Sequence, residues 1–396
     1  MSKVILSSKC DYNNVNLDNG IYRYSSYSGN SIIFGGVFTS VNGVTLNRLC
    51  KIFDNGELDT NFNNNLGTGF NNIIRMVHVE SSGKIIVSGD FTTFNGNARN
   101  YIVRLNSDGT EDVNFYNTVG KFNKGVFKII NTSDGGYLYG GMFTSWNGTT
   151  HNRLIKFNSD YTLNTSFNNN INTACNNHVV HMLTDSLGKY VIVGNFTSFN
   201  GNTRYQIIRL NTDGTEDSTF YNNVNPTQGN KGLIYMCSDN KLLITEWYSA
   251  PSGGLMKLNT DGTIDTTFQN NWSKLDDSAV LDIQKLPNNK LLLGGGFTSY
   301  NSQTRNRLFS IDENGTEDTN FYNTLTNWGN GSAFDNTIYM NYITSDKNNI
   351  FIGGYYTSVN GVTYNRVSRI TVSGLNNSTP TPLKILTNNN KVLNVN

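Results

Sequence analysis

The 396 residues are 37% hydrophobic and 15% charged, and 30 Lys and Arg balance 29 Asp and Glu to a formal net charge of +1, so no field exists to gather nucleic acid or an anionic membrane surface. The 66 asparagines and 38 glycines favour turns and short strands over helices, while an aromatic content of 12% argues against disorder and can fill a β-core. No stretch approaches the apolar length of a membrane helix, and Met1 to Cys10 lacks the apolar run of an export signal, so neither membrane insertion nor standard secretion is expected.

Along the chain, the first element is a strand expected near residues 5–16. Its end, Asp11-Tyr-Asn-Asn-Val-Asn16, matches Phe220-Tyr-Asn-Asn-Val-Asn225 at five of six places, which marks it as a displaced piece of a repeat. The repeat itself is anchored on Phe-Thr at Phe38, Phe91, Phe143, Phe196 and Phe297 and on Tyr-Thr at Tyr356, with steps of 53, 52, 53, 101 and 59. The step of 101 hides a worn fifth copy centred on Trp247, giving seven units. Asp-x-x-Phe keeps the same period at Phe62, Phe115, Phe220, Phe268 and Phe321, with Asn164 in place of Asp before Phe167.

The second unit shows the internal plan. Ile73–Val79 alternates as a strand, Ser81-Ser-Gly83-Lys84 turns, Ile85–Thr92 is a second strand and Asn100–Leu105 a third. Asn106-Ser-Asp-Gly109-Thr then turns into a short fourth strand ending at Phe115-Tyr116. Four antiparallel strands in about fifty residues match a propeller blade better than a β-solenoid coil, which is shorter and poorer in strands. The seventh unit lacks its Asp-x-x-Phe piece after Gly374, so residues 1–16 are expected to complete that blade and close the ring. The expected fold is therefore an all-β, seven-bladed β-propeller of four-stranded antiparallel blades spanning residues 1–375. Residues 376–396, with Ser378-Thr-Pro-Thr-Pro382 ahead of two short apolar segments, read as a tail ending in a hairpin or attachment peptide.

The combined pattern G-G-x-F-T-S-x-N-G-x-x-x-N-R-[LI]-x-[KR], followed by [ND]-x-D-G-[ST]-x-D-x-x-F, resembles the delta-60 repeat, a propeller-type repeat of bacterial and phage surface-associated proteins. The resemblance covers nearly the whole chain and departs in the fifth and seventh units. It implies the fold and leaves activity open. A stand-alone, Asn-rich propeller without a signal also looks like a virion protein of a tailed phage, placed at the tail or a host contact. Other virion proteins, or a host-surface glycan or protein, are the partners this implies.

The candidate chemistry lies in a few recurring positions. Asp-Gly turns at Asp108-Gly109, Asp213-Gly214 and Asp261-Gly262 resemble the start of a calcium loop but lack its later bidentate Glu, and are read as turns. Cys10, Cys50, Cys175 and Cys237 have no metal-site spacing, so no metal and no cofactor is expected. A cation recurs thirteen positions after the anchor, at Lys51, Arg104, Lys156 and Arg209, with Lys257 and Arg369 equivalent. It is read as the partner of the recurring acid at Asp59, Asp112 and Asp217, the alternative being a ring of cations on the disc axis.

Phe94, Trp146, Phe199 and Tyr300, each directly before Asn or an Asn-Gly pair, form the candidate binding face together with Trp247. Rings stack on sugars while amides supply directed hydrogen bonds, and the alternative is that each ring wedges between blades. His178 and His181 sit three apart on a strand, a poor metal pair. Asp276, Asp277 and Glu246 beside the irregular fifth unit are the carboxylates an enzyme would use, but adjacent Asp side chains diverge. The favoured reading is a non-catalytic interaction or structural module, with a lectin-like glycan-binding module or a glycan-processing enzyme as alternatives.

Overall fold

The computed structural model describes residues 5–7, 15–27, 30–224, 231–246, 254–275, 277–319, 321, 334–344, 349–373, 384–386 and 392–394. The described strands fall into seven larger antiparallel sheets, and in each the first, second and third strands of a repeat unit pair in chain order. The second strands, such as Ile85–Gly89 and Tyr190–Gly194, are buried throughout. That is why their sequence is a nearly unbroken apolar run rather than an alternation.

The first strands are Ile21–Tyr27, Ile74–Val79, Val126–Asn131, Val179–Thr184, Lys231–Met236, Val280–Lys285 and Ile338–Ile343. Each packs on the first strand of the next sheet, and Ile21–Tyr27 also packs on Ile338–Ile343. These strands therefore line a common axis, and apolar clusters fill the spaces between neighbouring sheets. One cluster joins Met76 and Ile86 of the second unit to Val126, Tyr139 and Ile155 of the third.

After the second strand the chain forms a two-stranded hairpin, as in Ser40–Val41 with Val44–Thr45. Asn42 and Gly43 at its tip have φ of 54° and 76°, the left-handed pair that such a tight turn requires. The asparagine also works sideways. Asn147 Oδ1 accepts from Lys121 N at 2.8 Å, and Asn200 Oδ1 accepts from Ala174 N at 3.0 Å. A second asparagine, Asn71, accepts from Thr92 N and Thr93 N at 2.9 and 3.0 Å, so much of the asparagine excess serves loop capping.

The Asp-x-x-Phe piece departs from the expected fourth strand. It pairs through a single bridge, Leu105 with Glu111, and then becomes a short helix, Val113–Val119. In the first unit the helix is Thr60–Asn65, begun by Asp59, whose carboxylate accepts from Phe62 N. The larger sheets accordingly have three strands, except the last. There Ile5–Ser7 pairs antiparallel with Val367–Ser373, matching Ile5 to Ser373 and Ser7 to Thr371. In the tail, Lys384–Leu386 pairs with Val392–Asn394.

Candidate functional site

The recurring cations sit on the third strands; Arg369 donates to the Asp54 carbonyl at 3.2 Å, and the others meet acids of their own unit. Lys51 lies 2.9 Å from Asp59, while Arg104 and Arg209 lie 2.8 Å from Asp112 and Asp217. Where Asn164 replaces the acid, Lys156 turns instead to Asp134 at 2.7 Å. The same acids cap helices, Asp217 accepting from Phe220 N at 3.2 Å. Arg209 also lies over the Phe220 ring, 4.2 Å from its centroid. These groups fasten helix to sheet.

Three of the four proposed loop aromatics in the described residues offer no stacking face. Phe94, Phe199 and Tyr300 are buried, Phe94 against Phe70 at 4.6 Å and Tyr300 against Trp272 at 4.8 Å. Trp146 is half-buried and donates its Nε1 hydrogen to Val119 O. The rings close the gap between hairpin and sheet, so burial of apolar area explains their recurrence. Trp247 and Asp276 lie outside the described residues. Asp277 is committed to Thr298, accepting from its N at 2.9 Å and its Oγ1 at 2.5 Å, as Asn71 serves Thr92. Glu246 forms a buried ion pair with Lys231.

The Asp-Gly turns spend their carboxylates locally, Asp108 Oδ1 accepting from Thr110 N at 3.0 Å and from its Oγ1 at 2.6 Å. Cys237, Asp239 and Glu313 lie together, but Asp239 pairs with Lys257 at 2.7 Å and Glu313 with Lys285 at 3.2 Å. That arrangement is an ion-pair cluster.

A different set converges on the axis. Each first strand carries an irregularity after its first residue; the residue just beyond it is Ile234 in the fifth sheet and Arg23, Met76, Lys128, His181, Asp282 or Met340 in the other six. Equal register places these six at one depth around the axis. Asp282 reaches across to the seventh sheet: its Oδ2 accepts from Asn341 N at 2.5 Å, and the Tyr24 hydroxyl oxygen lies 3.4 Å from it. Tyr24 also donates to Asn341 O at 2.7 Å and accepts from Gln284 Nε2 at 2.5 Å.

Burial pushes the Asp282 carboxyl up to about 7, against the opposing pull of the Asn341 N–H and Arg23. Burial, reinforced by Arg23, brings the Lys128 ammonium down to about 8. His181 is held well below its ordinary value by burial and by Lys128 and Arg23, so it is neutral. Its Nδ1 accepts from Ile234 N at 3.4 Å, which leaves the proton on Nε2.

Aromatic side chains of the first and seventh units cluster beside this axial set. Tyr22, Tyr339 and Tyr355 meet edge to face with centroids 5.3 to 5.7 Å apart, and the Tyr22 and Tyr355 hydroxyls are 2.6 Å from each other. On the adjoining second sheet Arg75 pairs with Asp90 at 2.6 Å and lies 5.7 Å from the centroid of Phe127. All are part-exposed. Sequence reasoning missed this set because its residues change from unit to unit. The available signal was a polar residue fifteen positions before the anchor phenylalanine, at Arg23, Lys128, His181 and Asp282, inside an otherwise apolar strand.

Sheets set around one axis by their first strands, with turns and short helices outside, define a β-propeller domain. Residues 30–62, 80–115, 132–167, 188–220, 237–268 and 286–321, more than half of the chain, match the family described as "Domain of unknown function (DUF5122) beta-propeller". The chain belongs to that family. No curated protein matches it in sequence.

Among solved structures, the chain is similar to the extracellular domain of a hybrid two-component system from B. thetaiotaomicron, at 12% identity and a TM-score of 0.51 over 89% of this chain and 40% of that one. A second such domain from that organism is 13% identical with a TM-score of 0.51, over 99% of this chain and 45% of that one. The WD40 β-propeller domain of Doa1 is 14% identical with a TM-score of 0.50, over 93% and 97%. At these identities the likeness is one of fold. The chain spans less than half the length of the two bacterial domains.

Proposed function

We propose that the chain is a non-catalytic binding propeller of seven blades, closed by its N-terminal strand, that reads a ligand at the axial mouth ringed by Tyr22, Tyr339 and Tyr355. The observation that carries this reading is the contrast between positions. Groups that repeat in every unit are consumed by ion pairs, caps and core packing, whereas the groups that vary converge on the axis beneath a part-exposed aromatic rim. Seven blades are supported by seven sheets whose first strands pack in succession, and closure by the pairing of Ile5–Ser7 with Val367–Ser373.

A hydrolytic role is disfavoured by the commitment of Asp277 to Thr298. The likeness to extracellular domains of bacterial systems favours a cell-surface setting. Composition and the delta-60 likeness of the repeat are what speak for a phage particle. Glycan-array binding by the full chain should be lost in the Tyr22→Ala/Tyr355→Ala double variant, whereas Phe199→Ala should lower the melting temperature without selectively removing binding. Array binding that survives the double variant would place the ligand elsewhere.

A further inference from the structure

Among the described residues, Lys128 has neither an ion pair nor a hydrogen bond, although the cations of the third strands all have partners. Arg23, at the same register two sheets away, donates to the Tyr22 carbonyl at 2.8 Å and, among the described residues, meets no carboxylate within ion-pair distance. Two guanidinium and ammonium groups thus face one passage with a single carboxylate, Asp282, whose oxygen is already held by Asn341 N and Tyr24. A half-enclosed cation without a partner is costly, and an anionic group entering the passage would relieve that cost.

We propose that the passage binds the carboxylate of an acidic sugar, with Lys128 and Arg23 holding the anion and Tyr22 and Tyr355 contacting the sugar ring at the mouth. The inference rests on the reading of the mouth as the binding face and adds the ligand's class. The rim favours a sugar over an acidic peptide because its rings and paired hydroxyls match the alternating apolar and hydroxyl surface of a pyranose. His181, neutral with its proton on Nε2, adds a donor and no competing charge.

The Asp282 carboxyl faces Arg23, Lys128, Tyr24 and the Asn341 N–H, and it loses its negative charge as pH falls through about 7. Lys128 gains its full charge over a similar range, from about 8 downward. An anionic ligand should therefore bind more tightly at pH 6 than at pH 8.

The test is calorimetric titration of the full chain with an oligosaccharide of alternating glucuronate and N-acetylglucosamine, and with an N-acetylglucosamine oligomer of equal length. The acidic oligomer should bind, the neutral one roughly tenfold more weakly or not at all. Lys128→Met should weaken acidic binding roughly tenfold, as expected for one charge-assisted contact, and Lys128→Arg should restore it. Asp282→Asn should remove most of the tightening between pH 8 and pH 6.

Circular dichroism and melting of each variant separate misfolding from lost contacts. Equal binding of both oligomers, or indifference to Lys128→Met in a folded variant, overturns the acid-sugar assignment while leaving the rim reading intact. Binding of sulfate or poly-glutamate as tight as that of the acidic oligomer overturns it as well. Failure of the tyrosine double variant to affect glycan binding overturns the rim reading itself.

Discussion

Asp282 shows how one register position can carry both stability and function. The same slot holds Met76 in the second sheet and Met340 in the seventh, both buried, so an apolar residue satisfies the packing. A carboxyl there is enclosed and pushed up to about 7, against an ordinary value near 4 in the unfolded chain. A raised carboxyl contributes stability that is complete below the unfolded value and is lost as pH rises through the folded one, here between about 4 and about 7. Asp282→Asn keeps the shape and removes this titration.

The variant's melting temperature should therefore gain on the parent's as pH rises from 5 to 8. His78 and His181 work in the opposite sense, being held neutral by burial and losing stability as pH falls, but they are common to both proteins. Parallel melting curves across that range would show that Asp282 does not titrate there.

At the scale of the element, the helix and the Asp-Gly turn are one device spread over two units. Asn65, ending the first helix, donates its Nδ2 hydrogen to Asp108 O at 2.9 Å, and Asn170 does the same to Asp213 O at 2.8 Å. Gly109 has φ of 90°, and a Cβ there would lie 2.5 Å from Phe62 O of the preceding helix. Gly201, at a hairpin tip with φ of 77°, has nothing within 4 Å.

Gly201→Ala should cost about 1 kcal/mol from backbone conformation alone. Gly109→Ala, with strain and a backbone clash together, should cost about 2 to 4 kcal/mol, read as the shift in urea midpoint. Equal shifts would mean that the turn does not dock on the helix.

These elements also mark what could be read in advance. The period, the three strands and the Asn-Gly hairpins are legible because the residues that build them recur for structural reasons. The helix was readable in principle from Asp59 and Phe62, an acid whose side chain reaches the N–H three residues on, but the short polar stretch after it carries no helical apolar stripe. The aromatic loop positions misled because a ring buried under a hairpin and a ring displayed on a face leave the same trace in sequence. The axial set stayed hidden for the reverse reason. A search for recurrence passes over a position occupied by Arg, Met, Lys, His and Asp in turn.

For the molecule as a whole, the proposed site depends on the chain's two ends meeting. Tyr24 belongs to the first sheet, Asp282 to the sixth and Asn341 to the seventh, and their hydrogen bonds tie residues from the two ends of the repeat array to one another. A second link is Ile5–Ser7 on Val367–Ser373, while Val15 and Leu17 are buried in a cluster shared by the first and last units. In the proposed closed ring, loss of that link would let the axial groups of the first and last sheets drift apart.

Deleting residues 1–7, which removes the pairing strand but keeps Val15 and Leu17, tests the ring directly through the melting temperature. The account predicts a fall of at least about 5 °C, corresponding to a loss of a few kcal/mol in a chain of this size, together with weakened ligand binding. An unchanged melt in the deleted chain would contradict a ring closed by its N-terminal strand.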